Sequence, residues 1–207
     1  MEQVSYYMNL TSNTVAILAW IGFAAAFLLR KRTTSSPDTR REPMSWFGLI
    51  LQGFGLAIVG TIRRKPFASP FIDEQFAINI ALQTVSIVLA ILSAWLVSAA
   101  IRELGKQWSL QARLIEGHKL VTTGVYSIVR HPIYTSLLGM LLAGGLASSH
   151  WIGLLSGLIV FLIGTKIRTN IEETLLRDAF GDEFEGWKIK VPGLIPFLKT
   201  LGLYYLV

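Results

Sequence analysis

The chain has 207 residues, 52% of them hydrophobic and 15% charged, with a formal net charge of +6 and a mean hydropathy of +0.52. That balance excludes an ordinary water-soluble globular enzyme, and the absence of cysteine excludes structural disulfides, thiolate metal sites and catalysis through sulfur. The basic residues flank apolar runs, so the charge reads as membrane anchoring rather than a nucleic-acid surface, and His118, His131 and His150 are too scattered for a helix-borne metal motif.

Five apolar runs follow in chain order, at 10–29, 46–62, 76–101, 134–149 and 151–167. Each approaches the ~20 residues that cross a hydrocarbon core about 30 Å thick, the last two with help from flanking residues. The expected fold is an all-α integral membrane protein with five transmembrane helices. Before the first run stands Glu2 with no basic residue, and directly behind it come Arg30, Lys31 and Arg32, a stop-transfer pattern and not a cleavable signal. The stretch 32–43 reads as a flexible polar linker broken by prolines. Lys and Arg number none in 1–13, five in 30–43, three in 63–65, five in 102–131, none in 148–151 and six in 166–199. An outer N-terminus and a cytosolic C-terminus put sixteen of them inside, leaving Arg63, Arg64 and Lys65 on the disfavoured side.

In the third run Asn79, Gln83, Ser86, Ala90 and Ser93 recur every three or four residues, which places them on one helical face for hydrogen bonding between helices. No run holds an interior Asp, Glu, Lys or Arg, which disfavours an ion or proton pathway. The few residues around Ser148 to Trp151 make the fourth and fifth runs an antiparallel hairpin. Gly139, Ala143 and Ala147 on one, with Gly153 and Gly157 on the other, permit close approach. After Lys166 the pattern turns amphipathic: Ile171, Leu175, Leu176 and Phe180 alternate with Glu172, Glu173, Arg177 and Asp178 up to a helix stop at Gly181. The fifth helix is expected to continue into the cytosol, with Glu173 paired to Arg177 on its surface and with Phe184 and Trp187 packed behind it.

The chemistry concentrates in two segments on the inner side. Residues 102–134 form a connector too long and too polar to be a mere link, and Pro132 at the start of the fourth helix holds Arg130 and His131 at the interface. At the exit of the fifth helix Arg168 and Glu172 stand four apart, a pair worth about 0.2–0.5 kcal/mol on spacing alone. The hairpin brings the start of one helix level with the end of the other, so His131, Tyr134, Arg168 and Glu172 converge. The chain accordingly divides into membrane helices at 1–101 and a site-bearing region at 102–207.

Five elements carry a family resemblance: the stretch from His118 to Tyr126, then Arg130-His131-Pro132-Ile133-Tyr134, Arg168 with Glu172-Glu173, Phe180-Gly181, and Val191-Pro192 with Pro196. In order and spacing, over about residues 102–200, they resemble the C-terminal half of isoprenylcysteine carboxyl methyltransferases. The resemblance implies a multi-pass enzyme of a bacterial inner membrane or the endoplasmic reticulum. It implies S-adenosylmethionine taken from the cytosol and methyl transfer to the carboxylate of a prenylated or similar lipophilic substrate entering from the bilayer, with neither metal nor nucleic acid.

Carried over by position, the cofactor contacts are Gln111, His118, Lys119, Leu120, Val121, Tyr126, His131, Pro132, Ile133, Tyr134 and Glu172, with Arg168 facing substrate and Arg168 and Glu172 catalytic. The Lys119–Val121 strip and Tyr126 offer adenine apolar walls, and Glu172 offers the methionyl ammonium a carboxylate. Arg168 would pair with the substrate carboxylate, which is already ionised and needs alignment rather than a general base. Aromatic anchoring at the membrane surface is the plainer role for Tyr126, Tyr134 and Trp108, and helix capping the plainer one for His118. Ser136, Phe184 and Trp187 depart from the family's usual glycine and tyrosines, which bears on substrate identity. Alternative functions are a phospholipid N-methyltransferase, which would need a base for its amine, an NADPH-dependent sterol-type reductase, and a catalytically silent scaffold.

Overall fold

Apolar segments satisfy their backbone polar groups most readily inside helices, and the computed structural model, which describes residues 2–28, 38–64 and 76–196, follows that rule. Its described helices are α1 (Glu2–Leu28), α2 (Ser45–Thr61), α3 (Phe76–Leu104), α4 (Pro132–Ser148), α5 (Trp151–Phe180) and α6 (Asp182–Lys190). The segments Gln3–Leu28, Phe76–Gln107 and Trp151–Phe180 are long and apolar enough to cross a membrane. The helices α2 and α4 are apolar but have 17 residues each, about 25 Å at 1.5 Å per residue. Outward-facing Ile17, Leu18, Phe54, Trp95 and Ile159 are more than half exposed, an apolar surface suited to lipid. Arg30, Lys31, Arg32, Lys65 and Lys199 lie outside the described residues.

Packing pairs α1 with α3, α3 with α4 and α2 with α5. The polar row of α3 faces the bundle as its spacing predicts. Asn79, Gln83, Ser86, Ala90 and Ser93 are buried. Asn79 donates to Ser5 Oγ at 2.8 Å, Gln83 to Asn9 Oδ1 at 2.8 Å and Ser86 to the Ala143 carbonyl at 2.7 Å.

The principal partner of α5 differs from expectation. Although α4 and α5 follow each other through Ser149 and His150, α5 lies chiefly along α2. A Cβ added at Gly55 would stand 2.6 Å from the Gly157 carbonyl, and one at Gly164 would stand 2.6 Å from the Gly48 carbonyl. The buried stripe Ser45, Gly48, Gln52, Gly55 and Val59 thus meets a matching row of glycines, and two smooth ridges let the backbones close to van der Waals contact. Gly153 and Gly157 accordingly serve α2, while Gly139 serves Ser93 of α3.

Arg64 explains its own position on the disfavoured side of the charge count. Its guanidinium donates to the carbonyls of Leu146 at 3.0 Å, Ala147 at 2.8 Å and Ser149 at 3.1 Å, satisfying the exposed carbonyl end of α4. The linker also holds more order than its composition suggests. Residues Asp38–Arg41 form β1, antiparallel to β2 at Arg113–Ile115, and the Glu42 amide donates to the Ala112 carbonyl at 3.1 Å. This two-stranded ribbon joins the front of α2 to the 102–134 stretch, which between the end of α3 and the start of α4 is otherwise loop and short 3-10 turns.

Candidate functional site

At the end of the bundle where α4 begins and α5 leaves, short-range features fix the backbone. Pro132 opens α4 at its first turn, where the missing N–H costs nothing. The amides just before it donate outward, Arg130 to the Pro192 carbonyl at 2.9 Å and His131 to that of Gly193 at 3.0 Å, and Thr135 Oγ1 donates to the Leu194 carbonyl at 2.5 Å. Behind them Phe184 and Trp187 pack with Val125 and Tyr126, and Trp187 Nε1 donates to the Tyr126 carbonyl at 3.3 Å. The closing segment after α6 is thereby stitched to the start of α4.

All twelve residues singled out from the sequence, namely Gln111, His118, Lys119, Leu120, Val121, Tyr126, His131, Pro132, Ile133, Tyr134, Arg168 and Glu172, line one cleft. Trp108, Leu104, Leu137, Leu175 and Leu176 complete apolar walls, and Phe27, Leu49 and Gln52 close it from α1 and α2. Tyr126 and Tyr134 are each 6% exposed, so neither is a surface anchor. Trp108 packs against Phe27 with ring centres 5.3 Å apart and the ring planes tilted by 54°.

Arg168, Tyr134 and Glu172 form a connected array. Arg168 is buried. Its Nε donates to Tyr134 Oη at 2.7 Å, its Nη1 to the Ser45 carbonyl at 3.2 Å and its Nη2 to the Leu110 carbonyl at 2.7 Å. The Tyr134 hydroxyl donates in turn to Glu172 Oε1, which also lies 3.6 Å from Arg168 Nη2. The guanidinium sits over the Tyr134 ring, 5.4 Å from its centre. Glycine at position 48 makes this seat available, because a Cβ there would lie 2.6 Å from Arg168 Cγ.

The two adjacent glutamates divide between cleft and scaffold. Glu172 lines the cleft, its side chain 27% exposed, with His131 Nδ1 at 3.6 Å. Glu173 does not pair with Arg177. It receives Arg130 Nη2 at 2.8 Å, His131 Nε2 at 3.2 Å and Lys188 Nζ at 2.6 Å, whereas Arg177 binds Glu185 at 2.5 Å. Glu173 points toward the start of α4 and the end of α6, which present Arg130, His131 and Lys188, while Arg177 one turn on meets Glu185 of α6.

Protonation follows from these surroundings. Burial alone would lower the pKa of His131, but hydrogen bonds and negative charge from Glu172 and Glu173 outweigh it and raise the pKa, favouring the imidazolium. Burial lowers the pKa of His118, and its Nδ1 is buried without a partner among the described residues. Burial, with the charges of Glu172 and Glu103, raises the pKa of Tyr126 and keeps its phenol neutral.

Several parts of the site escape motif reading. The carbonyls of Ser45 and Leu110 carry no residue-specific signal, and the Gln107 side chain, which accepts from the Lys119 amide, sits in an unremarkable stretch. The α2 stripe did carry a signal, since Ser45, Gly48, Gln52 and Gly55 recur every three or four residues like the row on α3.

Fold and site together define a helical membrane protein with a ligand cleft at one end of its bundle, its polar wall built from arginine, tyrosine, histidine and glutamate. Residues 82–183 match the family model described as phospholipid methyltransferase. Over 143 residues the chain is 30% identical to a protein-S-isoprenylcysteine O-methyltransferase of Schizosaccharomyces pombe, a match covering 68% of this chain and 58% of the relative. It is 30% identical over 115 residues to protein-S-isoprenylcysteine O-methyltransferase B of Arabidopsis thaliana, covering 55% and 58%. It is also 27% identical over 117 residues to a probable protein-S-isoprenylcysteine O-methyltransferase of Oryza sativa subsp. indica, covering 56% and 61%. The chain thus spans about three fifths of the length of the relatives it matches. These likenesses support the isoprenylcysteine carboxyl methyltransferase family that the motifs between His118 and Pro196 resemble.

Proposed function

We propose that the protein is a membrane-embedded, S-adenosylmethionine-dependent methyltransferase that esterifies the carboxylate of a prenylated cysteine or a similar lipophilic acid. The observation that carries this reading is the Arg168–Tyr134–Glu172 array on the wall of an otherwise largely apolar cleft, in a chain similar to isoprenylcysteine methyltransferases. The five apolar runs and the distribution of Lys and Arg along the sequence support five spans, an outer N-terminus and a cleft on the cytosolic face of a multi-pass protein. Residues 102–207 are the catalytic region, framed by α2 through the Ser45 carbonyl and Gly48.

The residues present fit the cofactor. Glu172 would hold the methionyl ammonium. Leu120, Val121 and Tyr126 would wall the adenine, with the unpartnered His118 Nδ1 as a polar contact beside them. S-adenosylmethionine, when bound, supplies an electrophilic methyl group on a sulfonium. Arg168 binds the acceptor carboxylate, and because its guanidinium is buried and held by three acceptors its direction is set before substrate arrives. The acceptor is ionised near neutral pH, so no side chain has to move a proton, and the apolar walls exclude competing water.

The phospholipid description of the matched family model keeps one second reading in play, N-methylation of a lipid amine. It needs a base at the methyl group. Glu172 is the one carboxylate among the residues lining the cleft, and its partners are Tyr134, Arg168 and His131, which favours the carboxylate acceptor. The test is binding of S-adenosylmethionine, with NADPH as competitor, to detergent-purified wild type and Glu172→Ala. Saturable binding, lost in the variant and indifferent to NADPH, is expected. Binding of NADPH alone would turn the reading toward a reductase, and binding of neither by folded protein toward a silent scaffold.

A further inference from the structure

The apolar belt of the bundle is shorter than the longest helices that carry it. Three close approaches set α2 and α5 antiparallel in register. An added Cβ at Gly48 would lie 2.7 Å from the Gly164 carbonyl, one at Gly55 2.6 Å from that of Gly157, and one at Gly153 3.0 Å from that of Ile62. Trp46, two residues before Gly48, is therefore level with Lys166, two residues after Gly164. At the other end Arg63 pairs with Ser149 and the His150 amide donates to the Ile62 carbonyl at 2.9 Å, which puts Arg63 close to the level of Trp151. Between these edges the exposed positions of α5 are Ile152, Leu155, Ile159 and Ile163, and Lys166 and Asn170 follow on the same face. Trp46 and Trp151 are themselves exposed, as aromatic rings are at a membrane–water interface. Lys166 stands fifteen residues after Trp151, about 22 Å of helix, and the 17 residues of α2 span about 25 Å.

The longer helices agree with the shorter ones. A Cβ at Gly139 would meet Ser93 Oγ, and Ser86 donates to the Ala143 carbonyl at 2.7 Å, so α3 runs antiparallel to α4. That register puts Gln83 level with the last turn of α4 and Asn79 level with the turn at Ser149 and His150. These two are the side chains that bond to α1, Asn79 with Ser5 and Gln83 with Asn9 and Ser12. The polar contacts between the long helices thus lie near the level of Arg63, at the end of the belt and not in its middle. From Thr84 to Ile101, between Gln83 and the exposed Arg102, α3 has eighteen residues, about 27 Å. Every one of these lengths falls below the ~30 Å of a typical hydrocarbon core, and helix tilt shortens the span further.

We propose that this short belt selects the lipid around it: the protein fits a bilayer whose hydrocarbon core is about 25 Å thick, and it holds lipids with short acyl chains at its surface in preference to long ones. Long chains beside it must compress to match the belt, at a cost for each ångström of mismatch. The match also bears on the cleft. Lys166 precedes by two residues the Arg168 that lines it, so one edge of the belt lies beside the cleft. A thin bilayer leaves that edge among headgroups, whereas a thick one brings hydrocarbon up to the Lys166 ammonium and strips it of water. The proposal rests on α2 and α5 crossing the membrane and on no reading of the reaction.

The experiment measures lipid association with the full chain reconstituted in vesicles of monounsaturated phosphatidylcholines, with fourteen to twenty-two carbons in each acyl chain. Each lipid is mixed with a brominated phosphatidylcholine that quenches the lipid-exposed Trp46, Trp95 and Trp151, and relief of quenching gives its relative binding. Wild type is expected to bind the fourteen- and sixteen-carbon lipids about threefold more tightly than the twenty-two-carbon lipid. Lys166→Leu extends the apolar face of α5 by four residues, to Asn170, about 6 Å, and should move the optimum to about eighteen carbons. A cooperative melt shows that the variant is folded. A flat profile in wild type, or an optimum at eighteen carbons or longer, overturns the proposal. An optimum in folded Lys166→Leu that stays where wild type has it overturns the edge on which the proposal rests. Should the variant fail to fold, the wild-type profile alone decides.

Discussion

Gly48→Ala adds one methyl group in the first turn of α2, and its consequence can be worked from the structure. The added Cβ would lie 2.6 Å from Arg168 Cγ, 2.7 Å from the Gly164 carbonyl and 3.4 Å from the Arg168 amide. Bringing the carbonyl contact out to an ordinary 3.4 Å requires α2 and α5 to separate by about 0.7 Å, the difference between 3.4 and 2.7 Å. The same displacement along the Ser45 contact stretches the Arg168 Nη1 hydrogen bond from 3.2 Å to about 3.9 Å, beyond hydrogen-bond range. Overpacking of this kind costs about 1–3 kcal/mol, against which the helix gains up to about 1 kcal/mol from replacing glycine with alanine. Gly53 supplies the control, since it sits on the same helix with nothing within 4 Å of its added Cβ and keeps only the favourable propensity. Thermal unfolding in detergent should therefore show Gly48→Ala below wild type and Gly53→Ala level with it or above. Acceptor binding should weaken in the first and not the second. Equal melting temperatures for the two variants would refute the claim that Gly48 is glycine because Arg168 and α5 occupy its side-chain space.

Two other predictions concern the polar cluster. Glu173→Gln removes the charge shared by Arg130, His131 and Lys188, and breaking one member of a largely buried ionic cluster should cost about 3 kcal/mol. The measurements are the unfolding midpoint and proteolysis near α6, which should speed up as the closing segment loosens. The pKa of His131 is raised in the folded state because the two glutamates outweigh its burial. Its contribution is thus fully present below the unfolded value of about 6.5 and is lost as pH rises through the folded value. Unfolding scans of wild type and His131→Gln across that range should show a decline in wild type that the variant lacks. Parallel curves would mean that the imidazole is not charged between the glutamates.

How much could be read without coordinates depended on how local each feature was. Arg130 through Tyr134 and Arg168 through Glu173 carry their chemistry in contiguous or helix-spaced residues, so their convergence followed once the start of α4 and the exit of α5 were level. The choice of partner helix was not local. Gly153 and Gly157 announce a close approach, but spacing alone cannot say whether Gly139 on α4 or Gly55 on α2 receives it. The match of two glycine rows decides for α2. Glu173 shows the same limit at one residue. Arg177 at i+4 is as good a partner by spacing as any, whereas Arg130 and Lys188 reach it only after the closing segment has folded back. The pairing of Asp38–Arg41 with Arg113–Ile115 joins segments more than seventy residues apart, and a polar, proline-flanked stretch gives no sign of it. Buried carbonyls that direct Arg168 exist in any sequence, and only the fold selects those of Ser45 and Leu110.

The central claim is that Arg168 orients a lipophilic carboxylate for methylation. Its most direct test is transfer from S-adenosylmethionine carrying a labelled methyl group to an S-prenylated N-acetylcysteine, using the full chain in detergent and its Arg168→Ala variant, with base-released methanol as the readout for ester. A base-labile methyl ester, formed by wild type and reduced at least about a hundredfold in the variant with S-adenosylmethionine binding retained, is the predicted result. Label recovered in base-stable form on a lipid amine, or ester formation that persists without Arg168, would contradict it.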